Sequence, residues 1–427
     1  MVLGYHTLFV EVLSQSQSTM EAHRTCGFIY WHRRFLLAYE NMLRSLEPRF
    51  ACITIPYWDY YADFARRIAG QCSTFQGCST LLTDFGGSAG TAGSNTINGI
   101  SSSGNCASAP FMSNFCHSST VSGSACNSCI PRSDWTSKNF PSGFGYSSLA
   151  RLLSGSYGYA IFSQNLQYGT HASIHNTALG AMGTMAMAAD PIFYNHHSTV
   201  DLVHQMFYDC QVGRVMTETE KKTSGYAFQP CVLSSSDVCP SVTANMSHNW
   251  QALSMPMLPA ESHPQLSAFF APLPNQYWQW VSATDLGEHS YTYEKDTLFA
   301  LLQSSGLSCP KNKIRRRAQT IAVSSNADNR IKAIVKTFNL FTQVYWDALD
   351  EVRNRDAALE QVELMECSYY QSQFGYVDDL SEEFRVNFRL PQSLKTICAK
   401  RMQELRSGVK QIQVDGWKTT FQEHLSV

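Results

Sequence analysis

Two adjacent histidines lie near the start of a predicted helix in the stretch DPIFYNHHSTVDLVHQMFYDC, residues 190–210. Its first two residues, aspartate and proline, can begin a helix because proline fits the first helical turn without losing a hydrogen bond. Apolar side chains then recur at helical spacing, which predicts a helix from about Tyr194 to Cys210. The pattern therefore places His196 and His197 in the first turns of a helix.

Other histidines extend this pattern. His171 and His175 are four residues apart, so both imidazoles project from one face of a helix, a natural geometry for chelating a metal. His32 lies on a helix predicted from about residue 28 to 46. His23 is nine residues earlier, half a turn out of phase, and must reach the same site from the preceding loop. Eight of the thirteen histidines form two groups along the chain: His6, His23 and His32, then His171, His175, His196, His197 and His204.

The residue types around these histidines narrow the choice of metal. Neutral imidazole binds zinc, copper, iron and nickel. A zinc protease would carry a glutamate inside an HExxH motif, but Ala172, Ser173 and Ile174 separate His171 from His175. A non-haem iron site would add a carboxylate ligand. Two sets of three histidines without carboxylate or thiolate favour a pair of copper ions.

Four landmarks resemble the tyrosinase family of type 3 dinuclear copper proteins, which includes the polyphenol oxidases. They lie in the family's order and span residues 6 to 293. The landmarks are Ala22-His23 with Trp31-His32-Arg33-Arg34-Phe35 and Glu40, then Pro56-Tyr57-Trp58-Asp59-Tyr60, then His171 and His175 with residues 190–201, and finally Tyr291-Thr292-Tyr293.

The resemblance implies a mainly α fold in which a four-helix bundle holds two copper ions. The first ion would take His6, His23 and His32, and the second His171, His175 and His197. His196 would be a neighbour of the site, and His204 is a rival that the motif does not include. We expect a catalytic domain over residues 1–295, with a Gly/Ser/Cys-rich insertion at 71–146, and a helical C-terminal extension over 296–427.

The resemblance also implies oxidation of o-diphenols to o-quinones, with dioxygen as co-substrate and a small phenol as substrate. Monophenol hydroxylation is less certain, because Ala172 stands where many tyrosinases carry asparagine and Gln167 stands where plant-type members often carry glutamate. Asn176 could orient a water or substrate instead. The alternatives are reversible oxygen binding of the haemocyanin type, o-aminophenol oxidation, and a copper-free structural protein.

Composition sets the wider limits. The chain has 427 residues and a formal charge of −2, which offers no electrostatic case for nucleic acid or an anionic membrane. No apolar run is long enough to span a bilayer. Fourteen cysteines indicate disulfides and therefore a secreted protein or another oxidising compartment. The N-terminus does not read as a secretory leader, so we expect the leader to be absent from this chain.

Cys126 and Cys129 form one CxxC pair, a weak zinc signal.

The C-terminal extension carries two further expectations. Apolar residues from Ile331 to Val352 form a helical stripe that needs a partner surface, and the catalytic domain is the obvious one. Many relatives are latent enzymes whose extension covers the copper site. Here the basic run 311–317 could be a protease-sensitive tether or a solvated linker. The aromatic plug of such a cover is expected among Tyr369, Tyr370 and Phe374.

Overall fold

The computed structural model describes residues 4–425, except 110–111, 113–114, 122–125, 127, 156, 308 and 310–319. The fold is mainly helical, as predicted, and its sheets are small. In the described part of the chain, no helix combines the length and apolar character needed to cross a bilayer. The basic run 311–317 lies outside the described residues.

Eighteen α-helices are present among the described residues. In chain order they are α1 Tyr5–Ser14, α2 Ser16–Ala22, α3 Phe28–Ser45, α4 Tyr60–Ile68, α5 Phe75–Cys78, α6 Thr80–Asp84, α7 Tyr146–Ser154, α8 Tyr159–Leu166, α9 Ala172–Ala178, α10 Ile192–Gln211, α11 Glu218–Thr223, α12 Ser267–Phe270, α13 Thr297–Ser305, α14 Asn329–Val352, α15 Arg355–Phe374, α16 Glu382–Phe388, α17 Ile397–Arg406 and α18 Trp417–Leu425. A π-helical turn, Gln167–His171, joins α8 to α9. Short 3-10 turns occur at Pro48–Phe50, Gly180–Gly183, Met187–Ala189, Ala260–Ser262, Tyr277–Trp280 and Gly287–His289.

Five short strands complete the described secondary structure. Strands β1 Ala92–Ile97, β2 Ile100–Cys106 and β3 Pro131–Arg132 form one antiparallel sheet in that order. Strands β4 Asn249–Trp250 and β5 Leu258–Pro259 form a second antiparallel pair. The first sheet lies within the predicted insertion, whose Gly/Ser-rich sequence favours a tight hairpin at Asn98-Gly99 between β1 and β2.

The centre of the molecule is the packing of α3 against α10. Both helices are buried along most of their length, so their polar residues need partners inside the protein. Arg33 of α3 meets Asp201 of α10, with Nε 2.5 Å from Oδ1. The hydroxyls of Tyr291 and Tyr293 each donate to the other oxygen of that carboxylate at 2.6 Å. The Tyr-x-Tyr landmark is therefore a structural anchor that satisfies a buried ion pair.

Six disulfides connect twelve of the fourteen cysteines. They are Cys26–Cys231, Cys72–Cys78, Cys106–Cys129, Cys116–Cys126, Cys210–Cys309 and Cys367–Cys398. The CxxC cysteines lie in separate disulfides, so the zinc alternative fails. Three of the six bridges lie within the Gly/Ser/Cys-rich insertion, as its cysteine content predicts. Six disulfides indicate an oxidising compartment.

The C-terminal section packs on the rest of the chain through its long helices. Helix α14 packs on α4, and α15 packs on α7. The predicted stripe is buried from Ile334 to Tyr345, whereas Leu349 and Val352 are half-buried and Ile331 at the start of α14 is 37% exposed. Tyr146 of α7 stacks on Phe341 of α14, with ring centroids 5.6 Å apart. The apolar face of α14 therefore has the partner surface that its pattern requires.

Candidate metal centre

Four histidines meet at the junction of α9, α10 and the preceding π turn. The candidate ligand atoms of His171, His175, His196 and His197 all lie within 4.8 Å of one another. The π turn ends at His171 and contains a kink at Gly169, a feature often found at functional sites. Together these imidazoles form one buried face of possible metal ligands.

His32 and His23 complete the cluster from the side of α3. The ring of His32 stacks on that of His197, with centroids 4.0 Å apart and planes 9° apart. The His23 ring meets His32 edge-on at 5.1 Å. His23 follows the last residue of α2 in extended backbone conformation, so it reaches the cluster from outside α3, as predicted.

Backbone carbonyls orient four of these rings. The Nδ1 atoms donate to carbonyl oxygens at 2.8 to 3.0 Å: His23 to Thr19, His32 to Phe28, His171 to Gln167 and His175 to Met182. Because a carbonyl only accepts, Nδ1 carries the proton and Nε2 keeps its lone pair. None of the four Nε2 atoms has a hydrogen-bond partner among the described residues. This arrangement is typical of histidines that bind metals through Nε2.

His197 differs from these four because neither of its buried ring nitrogens has a hydrogen-bond partner in the described structure. The His196 nitrogens also lack a partner within hydrogen-bond geometry, but the His171 backbone lies close enough to oppose the lowering of the His196 pKa by burial. His197 lies between the two groups, stacked on His32 and edge-on to His171 at 5.1 Å. His196 stacks on His171 at 5.1 Å and lies 5.7 Å from the Tyr60 ring.

The structure does not bring His6 into this cluster. Its Nδ1 lies 2.9 Å from the Tyr39 hydroxyl and its Nε2 lies 3.0 Å from the Ala189 carbonyl oxygen. Its ring neighbours among the described residues are Tyr39, Phe115 and Tyr194, none of which is a ligand candidate. The sequence placed His6 in the ligand set through the resemblance, and the geometry gives that placement no support.

His204, the alternative ligand considered from the sequence, also has a hydrogen-bond partner. Its Nδ1 lies 2.8 Å from Nη2 of Arg33. Since a guanidinium only donates, Nδ1 must accept and the proton resides on Nε2. His204 therefore has no lone pair to offer to a metal.

Burial keeps the clustered histidines neutral. It lowers the pKa of His23 to about 4 and that of His175 to about 3, against the opposing effect of their backbone hydrogen bonds. The pKa values of His32, His171 and His197 are also lowered, first by burial and then by the neighbouring histidines. Unprotonated imidazoles with unpaired Nε2 atoms suit a copper ion. The unpaired Nε2 atoms of His23, His32, His171 and His175, with the adjoining rings of His196 and His197, are therefore a donor set that fits copper.

Comparisons with known proteins agree with this geometry. Residues 2–209 match the common central domain of tyrosinase. The chain carries a tyrosinase central domain.

Individual relatives match over shorter lengths. The tyrosinase of Streptomyces antibioticus is 42% identical over 55 residues, 13% of this chain and 19% of the relative. The grixazone synthase of Streptomyces griseus is 38% identical over 55 residues, 13% of this chain and 17% of the relative. The tyrosinase-like protein phomQ1' of Diaporthe leptostromiformis is 27% identical over 203 residues, 44% of this chain and 50% of the relative. The chain thus spans a fifth or less of these Streptomyces relatives and half of the fungal one.

The C-terminal section reaches the histidines of the tyrosinase domain through Phe388. This ring, at the end of α16, lies 6.2 Å from the His23 ring and 6.0 Å from the His175 ring. The neighbouring Asn387 donates from Nδ2 to the Gly183 carbonyl at 2.8 Å. The same section binds Asn176, whose Oδ1 accepts from the Ser381 amide at 2.7 Å and whose Nδ2 donates to the Asp379 carbonyl at 3.2 Å. Both ends of the Asn176 amide therefore bind the C-terminal section.

The aromatic residues expected as the plug lie elsewhere. Tyr370 stacks on Phe64, Tyr369 packs on Phe421, and Phe374 lies under the Arg67 guanidinium. Phe388 is not among the residues that the sequence predicted to lie over the histidines. The sequence pattern that marks this residue is the helical spacing of Phe384 and Phe388 on a short amphipathic helix. Such a pattern predicts a buried face but does not indicate what the helix packs against.

The depressed histidine pKa values predict acid sensitivity of the copper-free protein. In the unfolded chain these imidazoles bind protons near pH 6.5, whereas the folded state excludes them until about pH 4. The contribution of these histidines to the free energy of unfolding is therefore fully present above pH 6.5 and is lost as the pH drops toward 4. The loss is up to about 3 kcal/mol for a histidine such as His23. Chemical denaturation of the apoprotein and of His23→Gln between pH 7.5 and 4.5 measures this, because the difference between the two removes the opposing effect of the buried Asp63 and Glu366 carboxyls, whose pKa values are raised. The same pH dependence in both proteins would contradict a neutral buried His23.

Proposed function

We propose that the protein is a copper-dependent oxidase that converts o-diphenols to o-quinones with dioxygen as the oxidant. The tyrosinase domain supports copper oxidation of the tyrosinase type. The observation that carries the proposal is the buried set of imidazoles with unpaired Nε2 atoms converging from α3, α9 and α10. The substrate would be a small phenol, and six disulfides support a secreted protein.

The proposed roles combine the donor geometry with the resemblance, which selects His197 over the adjoining His196. His171, His175 and His197 would hold one copper ion, and His23 and His32 a second. Bound copper supplies the redox chemistry by which two diphenols lose two electrons and two protons each while one dioxygen becomes two waters.

The chain itself orients the ligands and excludes water from them. Carbonyls of Thr19, Phe28, Gln167 and Met182 hold the proton on Nδ1 and aim Nε2 inward. The Phe28 ring packs on His171 at 4.6 Å, and the Phe193 ring packs on His197 at 4.3 Å. These aromatic walls keep the imidazoles in place and dry.

The direct test is oxygen uptake by copper-loaded protein on catechol, o-aminophenol and a matched monophenol. Uptake on catechol with quinone formation supports the proposal, and uptake on o-aminophenol alone would reassign the substrate class. Phe388 over the cluster favours one second candidate, reversible oxygen binding without a substrate. Oxygen release under vacuum, with no turnover of any of the three compounds, would establish that candidate.

We expect diphenol oxidation to exceed monophenol hydroxylation. Ala172, buried directly after His171, has no polar group to help deprotonate a monophenol. Ala172→Asn should raise the ratio of monophenol to diphenol rate about tenfold, equivalent to about 1.4 kcal/mol of barrier. Ala172→Leu is the matched control, because it adds similar bulk without a hydrogen-bonding group. Equal rates on both substrates in the unaltered protein would show that residue 172 does not set this balance.

A further inference from the structure

We propose that the two sides of the histidine cluster hold copper unequally, with three imidazoles on one side and two on the other. His6 serves as a packing anchor for α1 and is not a ligand. The inference rests on the proposed function for the choice of metal. The observation that supports this inference is the pair of contacts of the His6 ring, one nitrogen to Tyr39 and the other to Ala189.

The hydrogen bonds of His6 are mutually consistent and leave no lone pair. The Ala189 carbonyl can only accept, so Nε2 of His6 carries the proton. Nδ1 must then accept from the Tyr39 hydroxyl, which stays protonated because burial raises the pKa of Tyr39. Turning His6 toward a metal would leave two buried polar groups unpaired, each at a cost of about 1–3 kcal/mol.

Tertiary packing holds His6 in this position. Its ring lies against Phe115, from the disulfide-rich segment, and against Tyr194 of α10. Tyr39 of α3 stacks on Tyr194 with ring centroids 3.6 Å apart. His6 thus joins α1 to α3, α10 and the Met187–Ala189 turn, which is a structural task independent of metal.

Among the described residues, no other histidine joins His23 and His32 as a third imidazole on their side of the cluster. The chain has no histidine between residues 6 and 23. Gln15, at the break between α1 and α2, uses its side-chain oxygen to cap α2. The extra imidazole that does enter the cluster, His196, lies 4.8 Å from His175 and 5.1 Å from His171. It adds to the side that already has three imidazoles.

Unequal ligand sets should give unequal affinities. Disturbing a group that merely orients a ligand lowers metal affinity by about 10–100-fold, so lacking a ligand should cost at least as much. We expect the first copper ion to bind at His171, His175 and His197 and the second, at His23 and His32, about 100-fold more weakly.

The experiment is a competition titration of copper-depleted full-length protein with Cu(I) and a chromophoric chelator. The expected result is two separate phases. His32→Ala should remove only the weak phase, and His6→Asn should leave both phases within about twofold while lowering the melting temperature. Two equal affinities, or loss of one phase in His6→Asn as complete as in His32→Ala, would overturn the inference.

Electron paramagnetic resonance on the unaltered protein gives a second readout that needs no variant. One equivalent of Cu(II) should occupy one side and give the signal of isolated Cu(II) from nearly all the added copper. A first equivalent that distributes over both sides and forms coupled, silent pairs would contradict unequal binding. Diphenol assays on the same samples separate the two proposals. Unequal copper binding without diphenol oxidation would contradict only the proposed function. Equal copper binding with diphenol oxidation would contradict only this inference.

Discussion

His197→Ala should abolish diphenol oxidation and empty the three-imidazole side of copper, whereas His196→Ala should leave copper content near two ions per chain at saturation. His197 is the ring that contacts both sides of the cluster, at 4.0 Å from His32 and 5.1 Å from His171. The substitution removes one proposed ligand from the side of the cluster that we expect to bind copper more tightly. We expect the rate to fall by a factor of about 1,000 or more, equivalent to about 4 kcal/mol.

The measurement is metal analysis and oxygen uptake on the two purified variants at matched copper concentration. They are matched because both remove one buried imidazole from the same turn of α10, so any general loss of packing affects both. Far-UV circular dichroism checks that each is folded. Retained copper in His197→Ala together with loss in His196→Ala would reverse the two assignments, since both rings reach the cluster.

Phe388→Ala should raise the diphenol rate about tenfold or more while copper content stays unchanged. The Phe388 ring lies 6.2 Å from the His23 ring and 6.0 Å from the His175 ring, and we expect a substrate ring to approach the cluster through this space. Its position is backed by Phe384 at 4.2 Å and by the hydrogen bond from Asn387 to Gly183. The truncated side chain opens that space without removing a ligand.

The matched control is Phe374→Ala, which removes an aromatic ring of the same section that lies under Arg67. It should leave the rate unchanged. Trypsin cleavage within the basic run 311–317 should activate the enzyme less than Phe388→Ala, because α14 and α15 pack on the rest of the chain regardless of that run. If Phe388→Ala keeps its copper and its original rate, the C-terminal section is a structural extension and does not limit access.

Much of the fold and part of the site could be read from local sequence. The apolar spacing in residues 28–46 and 194–210 predicted α3 and α10 to within two residues at each end, because helical periodicity is a property of neighbouring residues. The same period placed His171 and His175 on one face. An even and high number of cysteines spread through the chain predicted disulfides, although the pairing needed the structure.

Tertiary structure alone decided which histidines have a free nitrogen. His6 is bound by Tyr39, 33 residues later, and by Ala189, 183 residues later. His204 is excluded by Arg33, 171 residues earlier. Phe388 reaches His23 and His175 from the far end of the chain. Spacing along a helix determines which side chains share a face, but the proton on an imidazole depends on the group that packing brings to its other nitrogen. The sequence therefore determined the helices and the histidine pairs along them, and long-range packing decided which of those histidines keep an unpaired nitrogen and which aromatic ring lies beside them.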